Sequence, residues 1–200
     1  MLHPERFDYE LMRTTLDELE DRYSYNKQAA QDAIAQEMEA RGAVMGDDGC
    51  WYYNGEPVEL LFVIRNDDQD QSRFHLGNHI ADELESIGFR VQRLYKDFQG
   101  ARTLCMESDA REGGWHLCTN GWNASTYSSF MGHDVANYYT PLRRSEPLFR
   151  AYEPEDELLD LATRLLSNDF NSVAERQEVF ARALELSLED SVRIWLAVRR

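Results

Sequence analysis

Residues Gly55 to Tyr95 read GEPVELLFVIRNDDQDQSRFHLGNHIADELESIGFRVQRLY, and this stretch decides the fold. Val58-Glu59-Leu60-Leu61-Phe62-Val63-Ile64 is too continuous and too β-branched for a half-exposed ribbon, and predicts a strand buried on both faces. The polar segment Arg65 to Ser72 follows, with Ser72 as helix N-cap. Phe74, Leu76, Ile80, Leu84 and Ile87 then recur at helical spacing, leaving Asp82, Glu83 and Glu85 to water. Gly88 stops the helix. Phe89, Val91 and Leu94 carry a second, more alternating strand. Strand, helix and strand in about 40 residues form a βαβ unit, so the two strands run parallel with a right-handed crossover.

The 200 residues suit one domain or lobe, with 42% hydrophobic and 12% aromatic residues. Twenty-one Lys and Arg against 37 Asp and Glu give a net charge of -16. So acidic a surface repels phosphate backbones and anionic lipid, which excludes direct nucleic-acid binding by this segment. No stretch is apolar enough for a membrane span or a signal-peptide core, so no membrane insertion is expected. Cys50, Cys105 and Cys118 form no CxxC pair. One bridge with a free thiol and three buried thiols both remain open, and three cysteines suit a reducing cytoplasm slightly better than an envelope.

Outward from the βαβ unit, Pro4 to Asp21 and Lys27 to Ala40 read as helices, the second capped by Asn26, lined by Ala30, Ala33, Ile34 and Met38, and ended by Gly42. Asn54-Gly55 is a hairpin signal that pairs Trp51 to Tyr53 with the strand from Val58. Asp97 to Ala110 is weakly helical, with Phe98, Ala101, Leu104 and Cys105 on one face. Glu112-Gly113-Gly114 breaks it, and Trp115 to Trp122 reads as a third core strand. Pro154 opens an acid-capped helix to about Leu166, and Asn171 or Ser172 caps another to about Leu188, with Val173, Phe180, Ala183 and Leu184 inward. Val192 to Val198 is a final apolar strand. The architecture is α/β, and no composition shift divides it.

Signatures of catalysis are absent: no Walker loop, GxGxxG, GxSxG or HExxH. No catalytic residue, metal or cofactor is assigned. His75 and His79 stand at i and i+4 but lack a third ligand in sequence reach, and read as solvated or capping histidines. His116 reads as a satisfied core histidine. Asp67, Asp68 and Asp70 resemble a fragment of a calcium loop without its glycine or distal glutamate, and read as a solvated loop.

Ligands of open α/β sheets sit beyond the carboxyl ends of the parallel strands. Those ends are Arg65-Asn66-Asp67, Lys96-Asp97-Phe98 and Trp122-Asn123-Ala124-Ser125-Thr126-Tyr127. The candidate ligand-binding residues are Arg65, Asn66, Trp122, Asn123, Ser125 and Tyr127, groups that stack and hydrogen-bond without committing to chemistry.

The order of four pieces then carries a resemblance. Tyr25-Asn26-Lys27-Gln28-Ala29 leads a helix to Gly42, then come GEPVEL, HIADELESIGFRVQ and a strand ending HLCTNGWNASTY. This order resembles the C-terminal lobe of the family 5 extracellular solute-binding proteins, the peptide- and nickel-binding components of ABC importers, over about Tyr25 to Tyr127. AERQEVFARALELSLEDSVRIWLAV near the end is similar as well. The resemblance implies a lobe of the periplasmic-binding-protein type II kind, a short mixed sheet with parallel central strands flanked by helices. Ser125 falls where peptide binders carry the Asp that pairs with the ligand's amino group, so that charge is absent.

The expectation is one lobe over 1–200, excised from a two-lobed protein, with its βαβ core at 55–95. Such a lobe captures a small molecule of peptide or oligosaccharide class, without catalysis, by hinge closure on the missing N-terminal lobe, and implies an ABC-importer permease as a further partner. An importer component is periplasmic or otherwise extracytoplasmic. The alternative is the ligand-sensing domain of a cytoplasmic transcriptional regulator built on the same lobe; a third reading is an α/β enzyme using Asp67, Asp68 and Asp97. A signal peptide or a lipobox cysteine in the full gene would support the importer, and an upstream winged helix the regulator.

Overall fold

In the computed structural model, which describes residues 7–121, 132–143 and 147–196, the chain forms two compact units. One is Tyr25–Trp122; the other combines Met1–Ser24 with Asn123–Arg200. Composition gives no hint of this division, because both units mix acidic surface with apolar core.

Two helices, α1 (Phe7–Leu11) and α2 (Arg13–Arg22), meet at the buried Met12 where one was expected. α3 (Lys27–Ala40) has the expected bounds, and the Asn26 side chain accepts the Ala29 N–H at 3.0 Å. Three short antiparallel strands follow, β1 (Val44–Met45), β2 (Trp51–Tyr53) and β3 (Glu56–Pro57). Asn54 (φ +52°) and Gly55 (φ +84°) turn the hairpin in the doubly left-handed conformation that Asn-Gly favours. Its return strand begins at Glu56, two residues earlier than expected, and the Val58 N–H still reaches the Trp51 carbonyl at 2.8 Å.

β4 (Glu59–Arg65), α4 (Ser72–Glu85) and β5 (Arg90–Lys96) are the βαβ unit, with β4 and β5 parallel from Glu59↔Arg90 to Arg65↔Lys96. Phe62, Val63 and Ile64 are all buried in succession, so both faces of β4 are covered. Ser72 is the first helical residue rather than the cap: Gln71 takes a left-handed conformation before it, and the Asp70 carboxylate accepts the Ser72 N–H. α5 (Phe98–Arg102) runs into a π-helical turn, Thr103–Glu107. β6 (Leu117–Cys118) pairs parallel with β4 but is two residues long, and the sheet order is β5-β4-β6. The parallel strands and the hairpin thus belong to two separate sheets, where one mixed sheet was expected.

Two glycines set the packing of this unit. Gly88 (φ +102°) follows α4 in a conformation other residues resist, and a Cβ there would lie 2.9 Å from the Trp51 ring. Trp51 is buried, donates its indole N–H to the Ile87 carbonyl and its backbone N–H to Gly88, and so fastens the hairpin to the end of α4. Gly77 faces β4, where a Cβ would come within 2.8 Å of Ile64 and 3.0 Å of Thr119. Gly77→Ala gains about 1 kcal/mol of helix propensity but overpacks this contact at a cost of about 1–3 kcal/mol. A net loss of urea stability is expected, and a net gain would mean that α4 simply moves away.

The other unit is helical: α1 and α2 with α6 (Gly132–Tyr139), α7 (Leu148–Ala151), α8 (Asp156–Ser167) and α9 (Val173–Asp190). Ser172 caps α9 by accepting the Glu175 N–H, while Glu175 accepts the Asn171 N–H, a reciprocal arrangement of the capping-box kind. Phe180, Ala183 and Leu184 are buried as expected, but Val173, the first residue of α9, is 61% exposed, and the buried stripe begins one turn later at Arg176. Val135, Tyr139, Leu158 and Leu165 meet it from α6 and α8. The expected strand from Val192 is not one over its described residues, 192–196. Among its described residues this unit has no strand to pair with. Val192 and Trp195 pack on the helices instead, the Arg193 carbonyl accepts the Tyr139 hydroxyl, and Trp195 donates to that same hydroxyl. Burial pushes the Tyr139 phenol up to about 12.

Candidate functional site

Because β4, β5 and β6 run parallel, their carboxyl ends share one rim. The Asn66 N–H donates to the Lys96 carbonyl at 3.0 Å, and the Arg65 N–H to the Thr119 hydroxyl at 2.9 Å, which stitches the three strand ends together. The rim therefore includes Arg65 and Asn66, as expected. Trp122, Asn123, Ser125 and Tyr127 lie outside the described residues.

The loop after β4 is built around ion pairs rather than solvated. Arg65 donates from Nε to Asp67 at 2.5 Å and lies 3.3 Å from Asp68. Arg73, at the start of α4, holds Asp68 from the other side at 2.6 Å. The Asp68 side chain is only 4% exposed between them. Asp67 also accepts the Phe98 N–H at 3.0 Å, and the Arg65 contact, seconded by that amide, holds its carboxyl below the usual carboxylate range. The Arg65 guanidinium stacks over the Phe98 ring, 4.9 Å from its centroid. Phe98, expected on one helix face with Ala101 and Cys105 and at the end of the second parallel strand, is half exposed and serves this rim contact, while Ala101 and Cys105 fill the core behind it. Gly121 abuts the Arg73 guanidinium so closely that any Cβ there would collide with it.

Between Arg65, Phe98, Arg102, Met106, Cys118 and Asn120 lies a cavity of about 20 Å³. That is room for about one water molecule, the volume of one wall of a cleft rather than of an enclosed ligand site. The wall joins two guanidiniums, an aromatic face, an amide and a thioether, a set suited to polar and stacking contacts.

Of the two alternatives open for the cysteines, one bridge with a free thiol holds, and His116 departs from the sequence reading. Cys105 and Cys118 form a disulfide, with Cα atoms 6.5 Å apart, and Cys50 is the free thiol. His116 is exposed, yet satisfied in an unexpected way: its Nδ1 accepts the Leu61 N–H at 2.8 Å, extending the β4–β6 ladder. His75 and His79 are both exposed on α4, and no group of three potential metal ligands occurs among the described residues. None of the described helices is long and apolar enough to cross a membrane. The signal that could have revealed the ion-pair loop is the run of opposite charges Arg65, Asp67, Asp68 and Arg73 at short spacing; Thr119, Asn120 and Arg102 carry no such signal.

No protein-family model matches the chain, and no curated protein matches it in sequence. Solved structures do match in shape. The periplasmic oligopeptide-binding protein of Thermotoga maritima, bound to mannohexaose, aligns with TM-score 0.64 and 22% identity over 87% of this chain and 31% of its own. NikZ of Campylobacter jejuni, bound to Ni(L-His), aligns with TM-score 0.61 and 14% identity over 84% of this chain and 31% of its own. The Bacillus subtilis oligopeptide-binding protein AppA, bound to a nonapeptide, gives 0.59 and 12% over 84% and 30%. The chain thus spans about three-tenths of the length of these proteins. In fold this chain resembles part of the family 5 solute-binding proteins of ABC importers, the resemblance its ordered motifs imply.

Proposed function

We propose that this chain is the C-terminal lobe of an ABC-importer solute-binding protein, without catalytic activity, which captures a peptide or oligosaccharide between its rim and an N-terminal lobe. The observation that carries this reading is the shared rim: three parallel strands end together around Arg65, Asn66, Phe98 and Asn120. Arg65 and Asn66 contact the ligand from the loop after β4, and Trp122, Asn123, Ser125 and Tyr127 from the segment after β6. Closure of the two lobes about a hinge buries the solute, and a permease receives it. The Cys105–Cys118 bridge supports an extracytoplasmic setting, since disulfides persist in oxidising compartments. It reverses the slight lean of the cysteine content towards the cytoplasm.

The test is calorimetric titration of the intact two-lobed protein against peptide and oligosaccharide panels. Arg65→Ala should weaken binding about tenfold, the worth of one charge-assisted hydrogen bond. Thermal unfolding should show the fold intact, since Arg73 still holds Asp68. Unfolding of the lobe instead would assign Arg65 to structure alone. The isolated 200-residue chain should bind the same solute poorly, and submicromolar binding by it would sink the two-lobed reading.

A further inference from the structure

We propose that the Cys105–Cys118 disulfide is a reducible latch on the rim cavity, opened by thiols that attack Cys118. The bridge joins the two walls of that cavity. Cys105 belongs to the π-helical turn Thr103–Glu107, whose neighbours Arg102 and Met106 line one side. Cys118 ends β6 and lines the cavity together with Thr119 and Asn120 on the other side. The proposal goes beyond solute capture and stands whatever the rim binds.

The two sulfurs differ in access. Cys105 is 7% exposed and packed among Val63, Ala101 and Leu104, whereas Cys118 is half-buried and faces the cavity. A thiolate approaching from the rim therefore meets the Cys118 sulfur first. The S–S bond breaks, Cys105 leaves as a thiolate and takes up a proton, and a mixed disulfide remains on Cys118. A second thiol resolves it, releasing the reductant as its own disulfide and leaving Cys118 as a thiol, a two-electron, two-proton reduction.

Reduction frees the helical wall rather than the strand. β6 keeps its backbone bonds to β4, from the His116 N–H to Leu61 and from the Thr119 N–H to Val63. The π turn is held mostly within its own segment, by the Ser108 N–H on the Thr103 carbonyl, the Ser108 hydroxyl on the Leu104 carbonyl and the Arg102–Glu107 ion pair at 2.9 Å, and across to the segment after β6 by one long contact of 3.6 Å from Asn120 to the Met106 sulfur. Single π turns are rare and concentrate at functional sites. With the bridge open, Thr103–Glu107 can return to α-helical register and carry Met106 and Arg102 to new positions on the rim.

The experiment uses the whole chain in a Cys50→Ser background, which removes the free thiol. Reduced glutathione is added to the folded protein, the reaction is quenched with acid, and the adduct is mapped by mass spectrometry. The glutathione should sit on Cys118 in about tenfold excess over Cys105, because local access decides the site of attack. Full reduction should then raise amide exchange about tenfold at residues 103–108 and 119–121 while β4 and α4 stay unchanged, and oxidised glutathione should restore the original rates. Cys105→Ala/Cys118→Ala should reproduce the reduced pattern; if that variant fails to fold, adduct mapping and exchange on the native sulfur pair decide. Adducts on Cys105, faster exchange throughout residues 25–121, or unchanged exchange at 103–108 would each overturn the latch.

Discussion

Asp8→Ala should lower the stability of the helical unit by about 3–5 kcal/mol, the cost of breaking a buried ion pair from one side. Asp8 is completely buried and Arg176 is 8% exposed. The carboxylate takes both guanidinium arms, at 2.8 and 2.9 Å, a bidentate geometry that matches two planar groups. The pair joins α1 to α9 across 168 positions of sequence, and Arg176 also stacks on Phe180 within the core. Removing Asp8 takes two charge-assisted hydrogen bonds from a buried guanidinium, and against a typical total of about 5–15 kcal/mol that is a large share. Urea unfolding followed by far-ultraviolet circular dichroism measures it. Asp8→Leu with Arg176→Met should recover most of the loss, since the desolvation of both ions disappears with them. A loss below about 1 kcal/mol in Asp8→Ala would show that water reaches the pair.

What could be read in the sequence follows from whether the deciding interaction is local. The βαβ unit was legible because Val58 to Ile64 is an uninterrupted apolar run and the α4 stripe repeats with helical period; Phe62, Val63 and Ile64 are buried together as that run requires. The hairpin was legible because Asn54-Gly55 has few other uses. The Cys105–Cys118 bridge was not, since it depends on the register that sets Cys118 opposite Val63 and on α5 packing over that strand. Asp67 and Asp68 look like any solvated acidic loop until Arg73, the second residue of α4, is seen to reach back. Val192 to Leu196 has the apolar composition of a strand, but composition says nothing about whether a partner edge exists. The rim was predicted from topology alone, and topology is what places Arg65, Asn66 and Asn120 together.

The rim loop yields the second large effect. Asp68→Ala should cost about 3 kcal/mol, at the low end for a buried pair because both its partners keep some contact with water. Asp68 lies between two guanidiniums, with Arg73 at 2.6 Å and Arg65 at 3.3 Å, and truncation leaves Arg73 facing Arg65 without the carboxylate between them, while Arg65 keeps Asp67. Arg73 also sits against Gly121, so a relaxed Arg73 transmits the change to the end of β6. Asp67→Ala is the control: its carboxylate is 35% exposed and, among the described cations, pairs with Arg65 alone, so about 1 kcal/mol is expected. Salt separates the two further. Raising ionic strength should shrink the Asp67→Ala effect by screening the exposed pair, and leave the Asp68→Ala effect nearly unchanged. If the proposed capture of solute at this rim is right, Asp68→Ala should also weaken binding by the intact two-lobed protein more than Arg65→Ala does. Removing Arg65 deletes one contact, whereas removing Asp68 releases the loop that aims Arg65 and Asn66. Equal losses of stability for the two aspartates would mean that burial of Asp68 contributes nothing, and that the loop is held by the Phe98 N–H and the Arg65 stack instead.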